Sequence, residues 1–577
     1  MSSENNSLHA VSESTGMTMP SNTPAGQARV TALAAAGRIE ALPTALVEYR
    51  SAGEVLVIGT EEEAALGVAR QLGDQVKVAV FITSLSNVVP FAPPTPATAS
   101  SDSAQDILVL SGPIKQLSGC LGEFSVIVPG GRGRDRDLAE IAGLSGRHFD
   151  IVLDLLDSPL IQRELLPVGY FAPAGDEAAL ARAISEIPGL VGAFEKPQYF
   201  QLDTSICAHS RSGLTGCTRC LEACPADAIQ SLGDSLSVDP NLCQGAGVCA
   251  TACPTGAITY RYPRLSDALE RVRTLLASYR EAGGEGAVLL FHDGEHGKKL
   301  VADAISELPE GVIPQEVEEI GSVGMDMWLA ALAYGASRVV LLGTDSTPAS
   351  VLKELDTQIG VAREILEAMG YPGNALSLLP EDWADIVNVI SDDAPLIQVE
   401  PARFAGMDEK RRVIRAAVEH LYSHAAKPQP LVNLSAGAPF GQVELNAERC
   451  TLCMACVSQC PGKALQSGGD TPQLKFLEDN CVQCGLCDRC CPEDAIGPSP
   501  RYLFSGEERR RVRVLKEEAP FHCVECGKPF AARGIIERMT ERLKDHDMFQ
   551  GDALRRIQMC EDCRVLDIHQ SGGVDVS

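Results

Sequence analysis

"CTLCMACVSQCP" (Cys450–Pro461) and "CVQCGLCDRCCP" (Cys481–Pro492) each space their cysteines as C-x2-C-x2-C-x3-C-P. Three thiolates this close can hold three corners of one iron–sulfur cubane. The fourth, carried away on the following helical turn, reaches the cubane of the other run. The spacing therefore assigns Cys450, Cys453, Cys456 and Cys491 to one cluster and Cys481, Cys484, Cys487 and Cys460 to a second. Pro461 and Pro492 turn the chain after the fourth ligand, and "GKAL" and "EDAI" follow at matching positions, as in a duplicated unit. Zinc sites use paired knuckles, so eight cysteines in this double spacing argue against zinc. Cys490 is left over and is expected to be a buried thiol.

An earlier block repeats the plan with defects. "CTRCLEACP" supplies Cys217, Cys220 and Cys224, but the first position of the run is Leu214. Cys207, across a short Ser/Gly-rich loop, can reach back, so Cys207, Cys217, Cys220 and Cys253 are expected to hold one 4Fe–4S cluster. In "NLCQGAGVCATACP" (Asn241–Pro254), Ala246 stands where a thiolate belongs, leaving Cys224, Cys243 and Cys249. A 3Fe–4S cluster needs only three cysteines and is the favoured reading. A 4Fe–4S cluster with a non-cysteine ligand and an empty site kept for packing stay open. Further on, Cys523 and Cys526 pair with Cys560 and Cys563 as two C-x2-C knuckles, the pattern of a closed, structural tetrahedral zinc site, with a single rubredoxin-like iron second.

The remaining 577-residue chain is read around these blocks. Short apolar runs such as "EVLVIGT" and "KVAVFIT" alternate with helical stretches, which suggests α/β layers of Rossmann-like kind. The expected organisation is a disordered tail (1–41), an α/β domain (42–199), an irregular two-cluster ferredoxin module (200–263), a second α/β domain (264–430), a regular two-cluster module (431–505) and a four-cysteine zinc-ribbon-like module (506–577). The fold class is thus multidomain α/β plus α+β. The Pro/Ser/Thr-rich stretch 88–105 reads as a loop, and "RRRVRV" (Arg509–Val514) as a solvated strand or linker face. The first α/β stretch has Thr60 and Glu61 where a dinucleotide fingerprint needs glycine, and no P-loop occurs.

A net charge of −28 makes nucleic acid and anionic membranes poor partners. No apolar run is long enough to span a bilayer, and the polar first residues do not read as a secretory signal. A cytoplasmic location is expected, where 21 clustered cysteines mean metal or redox sites rather than disulfides.

The regular cysteine block resembles the two-cluster bacterial ferredoxins, which implies one-electron transfer. "EIGSVGMDMWLAALAYGASRVVLLG" (Glu319–Gly343) resembles the delta subunit of methyl-viologen-reducing hydrogenase. That family holds a 2Fe–2S cluster on cysteines, but the corresponding stretches here, "FHDGEH", "IGSVG" and "LGTDS", contain none. What carries over is a fold and a docking role; a metal role for His292 and His296 is a weak guess. The order of parts, with "CAHSRSGLTGCTRC", resembles a proteobacterial family of large 4Fe–4S binding proteins associated with formate dehydrogenase systems.

The chain is therefore expected to relay single electrons between a redox enzyme and an acceptor. It is expected to have no catalytic residues of its own and three or four 4Fe–4S clusters. The alternatives are a subunit using a flavin or nucleotide, and an assembly factor for a dehydrogenase.

Overall fold

The computed structural model describes residues 23–39, 42–83, 95–96, 107–130, 134–379, 397–469 and 471–571. Most of the Pro/Ser/Thr-rich stretch 88–105 lies outside them.

Two parallel sheets organise the α/β parts. The first runs in the order Tyr170–Phe171, Ile151–Asp154, Glu54–Gly59, Lys77–Ile82, Leu108–Ser111, with Thr95–Pro96 antiparallel at the edge. Its central strands are buried on both faces, which is why they read as unbroken apolar runs. The strand Ser125–Pro129, read from sequence with the others, instead joins a separate antiparallel sheet with Gln116–Ser118 and Asp135–Asp137. The second sheet runs Val312–Val317, Val288–Asp293, Arg338–Leu342, Leu376–Leu379, all parallel. Its helix Met325–Ala333 is buried along its whole length, with Trp328 fully enclosed.

Two expectations need correction. Pro24–Ala36, inside the stretch read as a disordered tail, is a helix that buries Ala28, Ala32 and Ala36 and packs against helix Leu265–Glu281. Thr23 caps it and Pro24 opens it; a face of alanines carries too little hydrophobic contrast to show as periodicity. "RRRVRV" is not solvated throughout: Arg509 is buried against Glu419 and Asp479, and Arg513 bonds Glu478. The following strand Arg513–Glu517 adds a third strand to the hairpin Leu465–Ser467/Gln473–Phe476.

The two cysteine blocks share one construction. In each, a first and a last strand pair antiparallel: Phe200–Leu202 with Ile258–Tyr260, and Gly441–Leu445 with Ile496–Leu503. A central hairpin, Ile229–Ser231/Leu236–Val238 or Leu465–Ser467/Gln473–Phe476, lies between the two cysteine runs.

Candidate iron–sulfur sites

The cysteine loops need backbone conformations that most residues avoid. Leu452 and Met454 have φ of 55° and 61°, and Gln483 and Gly485 have 55° and 77°. These left-handed residues flank Cys453 and Cys484 and wrap the loop around one point. In the irregular block Gly245 and Gly247 take the same conformation, with φ of 86° and 74°, on either side of Ala246. The loop keeps the binding shape and lacks only the thiol. A side chain at Gly247 would also collide with Ser322, so the second α/β part packs directly onto it.

Eight cysteines of the regular block face two hollows. Cys450, Cys453, Cys456 and Cys491 line one small apolar hollow, and Cys460, Cys481, Cys484 and Cys487 line another. Burial, reinforced by the neighbouring cysteines of each group, raises these thiols: Cys456 to about 12, Cys484 to about 11, and Cys487 further. Four facing thiols in such a hollow shed their protons only to a cation placed among them, so the donor set fits a cluster. Cys490 stays outside both hollows; its Sγ donates to the Cys487 carbonyl at 3.4 Å.

In the irregular block Cys207 does reach back. It lies within electrostatic range of Cys217, Cys220 and Cys253, and burial holds Cys220 up to about 12. The hairpin Ser210–Arg211/Leu214–Thr215 folds the intervening loop away, and the Cys217 amide donates to the Ala208 carbonyl at 2.8 Å. Cys224, Cys243 and Cys249 form the remaining group, with Cys249 raised well above the ordinary thiol range by burial and then by Cys243 and Cys224. Backbone amides of Ala228 and Ala495 donate to Cys224 and Cys491 Sγ at 3.4 and 3.3 Å, a repeat of one interaction in both modules.

Elements carrying successive groups pack on one another: helix Arg219–Ala223 on helix Val248–Ala252, helix Leu486–Arg489 on strand Leu214–Thr215 and on helix Ala455–Gln459. Cys249 lies within electrostatic range of Cys220, Cys484 of Cys217, and Cys487 of Cys456. The modules meet where Arg489 donates to the carbonyls of Thr215 and Gly216 and Leu486 presses on Gly216.

Four cations that sequence reasoning missed sit on the cysteine loops. Lys196 Nζ donates to the carbonyls of Asn241 at 3.0 Å and Cys243 at 2.6 Å. Lys410 Nζ donates to Ala250, Thr251 and Cys253 carbonyls at 2.5–3.1 Å. Arg411 bonds the carbonyls of Pro254, Pro439, Asp479 and Cys481 at 3.0–3.3 Å. Lys516 Nζ donates to Cys450 O at 2.5 Å. Burial pulls Lys196 and Lys410 down from the usual lysine value and Arg411 down to about 10. One signal was available: Lys410, Arg411 and Arg412 open the helix Lys410–Ser423, the end where the backbone dipole disfavours positive charge.

At the C-terminal module, the sulfurs of Cys523, Cys526, Cys560 and Cys563 lie within 4.8 Å of one another, with Cys526 and Cys560 3.7 Å apart. Zn–S bonds of 2.3 Å imply a tetrahedron edge of about 3.8 Å, so a single tetrahedral ion fits. Burial would raise the Cys523 thiol, but backbone N–H groups of Cys526, Cys560 and Glu525 outweigh it and bring it down to about 6. His292 is buried with Nδ1 2.9 Å from the Asp293 carbonyl and belongs to no metal-ligating group among the described residues.

Comparison with known proteins agrees with these modules. The 4Fe-4S dicluster domain family matches residues 215–257, and the 4Fe-4S binding domain family matches residues 443–466. Pyruvate synthase subunit PorD of Thermotoga maritima is 40% identical over 65 residues, 11% of this chain and 64% of that protein. Indolepyruvate oxidoreductase subunit IorA of Methanothermobacter thermautotrophicus is 23% identical over 373 residues, 62% of this chain and 53% of that protein. NADH-quinone oxidoreductase subunit I 2 of Geobacter metallireducens is 26% identical over 99 residues, 16% of this chain and 75% of that protein. The chain spans about half to two-thirds of the length of the first relatives it matches. It carries ferredoxin-type 4Fe–4S domains and is distantly related to oxidoreductase iron–sulfur subunits. Among the described residues no helix is long and apolar enough to cross a membrane.

Proposed function

We propose that the chain is a linear electron relay of four iron–sulfur sites, in the order Cys224/Cys243/Cys249, Cys207/Cys217/Cys220/Cys253, Cys460/Cys481/Cys484/Cys487, Cys450/Cys453/Cys456/Cys491. The observation that supports it is the packing of the elements that carry successive groups: helix Arg219–Ala223 on helix Val248–Ala252, helix Leu486–Arg489 on strand Leu214–Thr215, and helix Leu486–Arg489 on helix Ala455–Gln459. Three sites take 4Fe–4S clusters. The three-thiolate site beside Ala246 takes a 3Fe–4S cluster, and the four-cysteine module at 523–563 takes a structural zinc. When bound, the clusters supply one-electron redox chemistry; the chain's residues hold them, seclude them from water and bias their potentials through Lys196, Lys410, Arg411 and Lys516. The six-part division read from the sequence is retained as the domain plan with two changes: helix Pro24–Ala36 goes with the second α/β domain and strand Arg513–Glu517 with the regular module, and the second α/β domain serves as brace and docking surface.

The partners are redox enzymes. Relatives named as subunits of oxidoreductases favour this, and the resemblance to a formate-dehydrogenase-associated family makes that enzyme the first donor to test. The test is low-temperature EPR of anaerobically purified, oxidised protein, with iron and zinc counted on the same sample. The relay reading expects about fifteen irons, one zinc and a 3Fe–4S signal near one spin per chain. Rapid cluster reduction by formate dehydrogenase and formate supports that partner. Little iron with several zincs refutes the relay.

A further inference from the structure

The Ala246 side of the incomplete site opens on a cavity of about 1090 Å³, lined by Ala246 and Ala250 and by the chain beyond three parallel strands. Those strands, Val288–Asp293, Val312–Val317 and Arg338–Leu342, lie in the spatial order second, first, third, so the cavity sits at their carboxyl ends where the strand order reverses. Open parallel sheets bind ligands at that place. "FHDGEH", "IGSVG" and "LGTDS", which the sequence scatters over more than fifty residues, each contribute to its wall.

We propose that this cavity binds a neutral ring compound of the quinone class, and that it is where electrons from the Cys224/Cys243/Cys249 site leave the chain together with protons. The inference rests on the relay reading and extends it to a substrate class.

Charge selects the class. Of the lining lysines and arginine, Lys298 is paired with Glu316 at 3.1 Å, Lys410 is spent on backbone carbonyls, and Arg271 alone is left for a ligand. Against that one arginine, Asp293, Glu295 and Glu318 also line the cavity, so a phosphate ligand meets net repulsion. A neutral ring meets a favourable wall: Tyr199 and Tyr260 stack 6.1 Å apart at 17°, with Tyr262 edge-on to Tyr199. Tyr260 OH donates to the Gly245 carbonyl at 2.9 Å, which ties this aromatic wall to the Ala246 loop.

Donors for ring carbonyls are present. Arg271 lines the cavity, and its Nε is buried without a hydrogen bond. Burial, and then the charge of Asp293, holds the Glu319 carboxyl up to about 7, so it can donate at neutral pH. A cluster held by Cys224, Cys243 and Cys249 would supply the two electrons one at a time, itself re-reduced by the redox partner along the relay, and two protons would convert both C=O groups to C–OH. Glu319 would give one proton and solvent the other, reached where Glu295 and Ser346 are exposed, and solvent would then reprotonate Glu319.

The probe is duroquinone, whose fully substituted ring cannot arylate cysteines, titrated calorimetrically into the full, cluster-loaded oxidised chain under argon. Saturable binding at one per chain is expected, weakened about tenfold or more by Arg271→Met and by Ser346→Trp, which plugs the mouth, at unchanged iron content. Full iron with no saturable binding, or equal binding by wild type and Arg271→Met, overturns this inference and leaves the relay standing. Protein that holds little iron refutes the relay itself. Arg271→Met decides the matter even where Ser346→Trp fails to fold.

Discussion

Replacing Arg411 by Met removes a buried charge while keeping most of the side-chain volume. The guanidinium bonds four carbonyls, two from the regular module's cysteine region, one after Cys253 and one at Pro439, and lies 5.1 Å from the Phe440 ring centroid. Although burial draws Arg411 down to about 10, it remains charged at pH 7. A unit charge roughly 8 Å from a redox centre, at an effective dielectric of about 20, interacts by about 2 kcal/mol, or about 90 mV for one electron. Arg411→Met should therefore lower the potential of the Cys460/Cys481/Cys484/Cys487 site by on the order of 50–100 mV. Leaving these four carbonyls without their donor should also cost about 4 kcal/mol of stability or more, at about 1–3 kcal/mol per orphaned group. EPR-monitored redox titration reads the first effect and urea denaturation the second. Arg411→Lys separates them: it keeps the charge, so the potential should return to within about 30 mV, while fewer hydrogen bonds leave most of the stability loss. If Arg411→Met folds with every potential unchanged within about 20 mV, the electrostatic reasoning is wrong.

Ala246→Cys should convert the oxidised 3Fe–4S signal to a silent 4Fe–4S cluster and raise iron by about one per chain; a persistent signal would mean that another residue or cavity geometry, not the missing thiol, sets the cluster type. Cys563→Ser should drop zinc from one to near zero per chain at constant iron and expose the hairpin Pro520–His522/Pro529–Ala532 to protease; retained zinc after the substitution would refute the four-thiolate site. Glu319 has its folded value raised to about 7 from the ordinary 4.5, so the folded state holds more protons than the unfolded and loses stability as pH rises between these values. Glu319→Gln should accordingly match wild type below pH 4.5 and exceed it by on the order of 1 kcal/mol at pH 8, as read by urea denaturation at both pH values; equal curves at pH 8 would show that Glu319 is solvated.

What the sequence revealed follows the range of the interactions involved. Cys450–Pro461 and Cys481–Pro492 were readable because their binding loops close within a few residues, and the left-handed Leu452, Met454 and Gln483 show how little chain the wrap needs. Cys207 was proposed by elimination, since only one upstream cysteine lay near enough, and it sits within electrostatic range of Cys253. Ala246 was visible as a defect, but not the cavity beside it, whose walls come from segments as far apart in the chain as Gly37 and Lys410. Lys410 and Arg411 reach carbonyls more than 150 residues back, at Cys253 and Pro254, a separation no local pattern encodes. The helix Pro24–Ala36 escaped because its buried face is alanine.

The same distances explain why an α/β domain without cluster cysteines stands between the two modules. Within each module the sites are joined by the chain itself, because Cys224 and Cys253, or Cys460 and Cys491, sit in one run and face the other. No shared cysteine joins the modules, so that junction depends on non-covalent contacts: Arg489 on Thr215 and Gly216, and Leu486 against Gly216. The intervening domain reinforces it from behind. Helix Ala349–Ala368 packs against both short helices of the irregular module, and its Glu364 accepts from the Ser435 amide at 2.9 Å, just ahead of the regular one. Helix Lys410–Ser423 then places Lys410 on one module and Arg411 across both. Three basic residues at a helix start are unfavourable for the helix alone; their position is understandable only if the carbonyls and anionic sites of the two modules hold them there. In the proposed relay this junction is the one held only by side-chain and backbone contacts, so Arg489→Ala should slow electron passage between the modules at unchanged iron content, as read by stopped-flow reduction of the clusters.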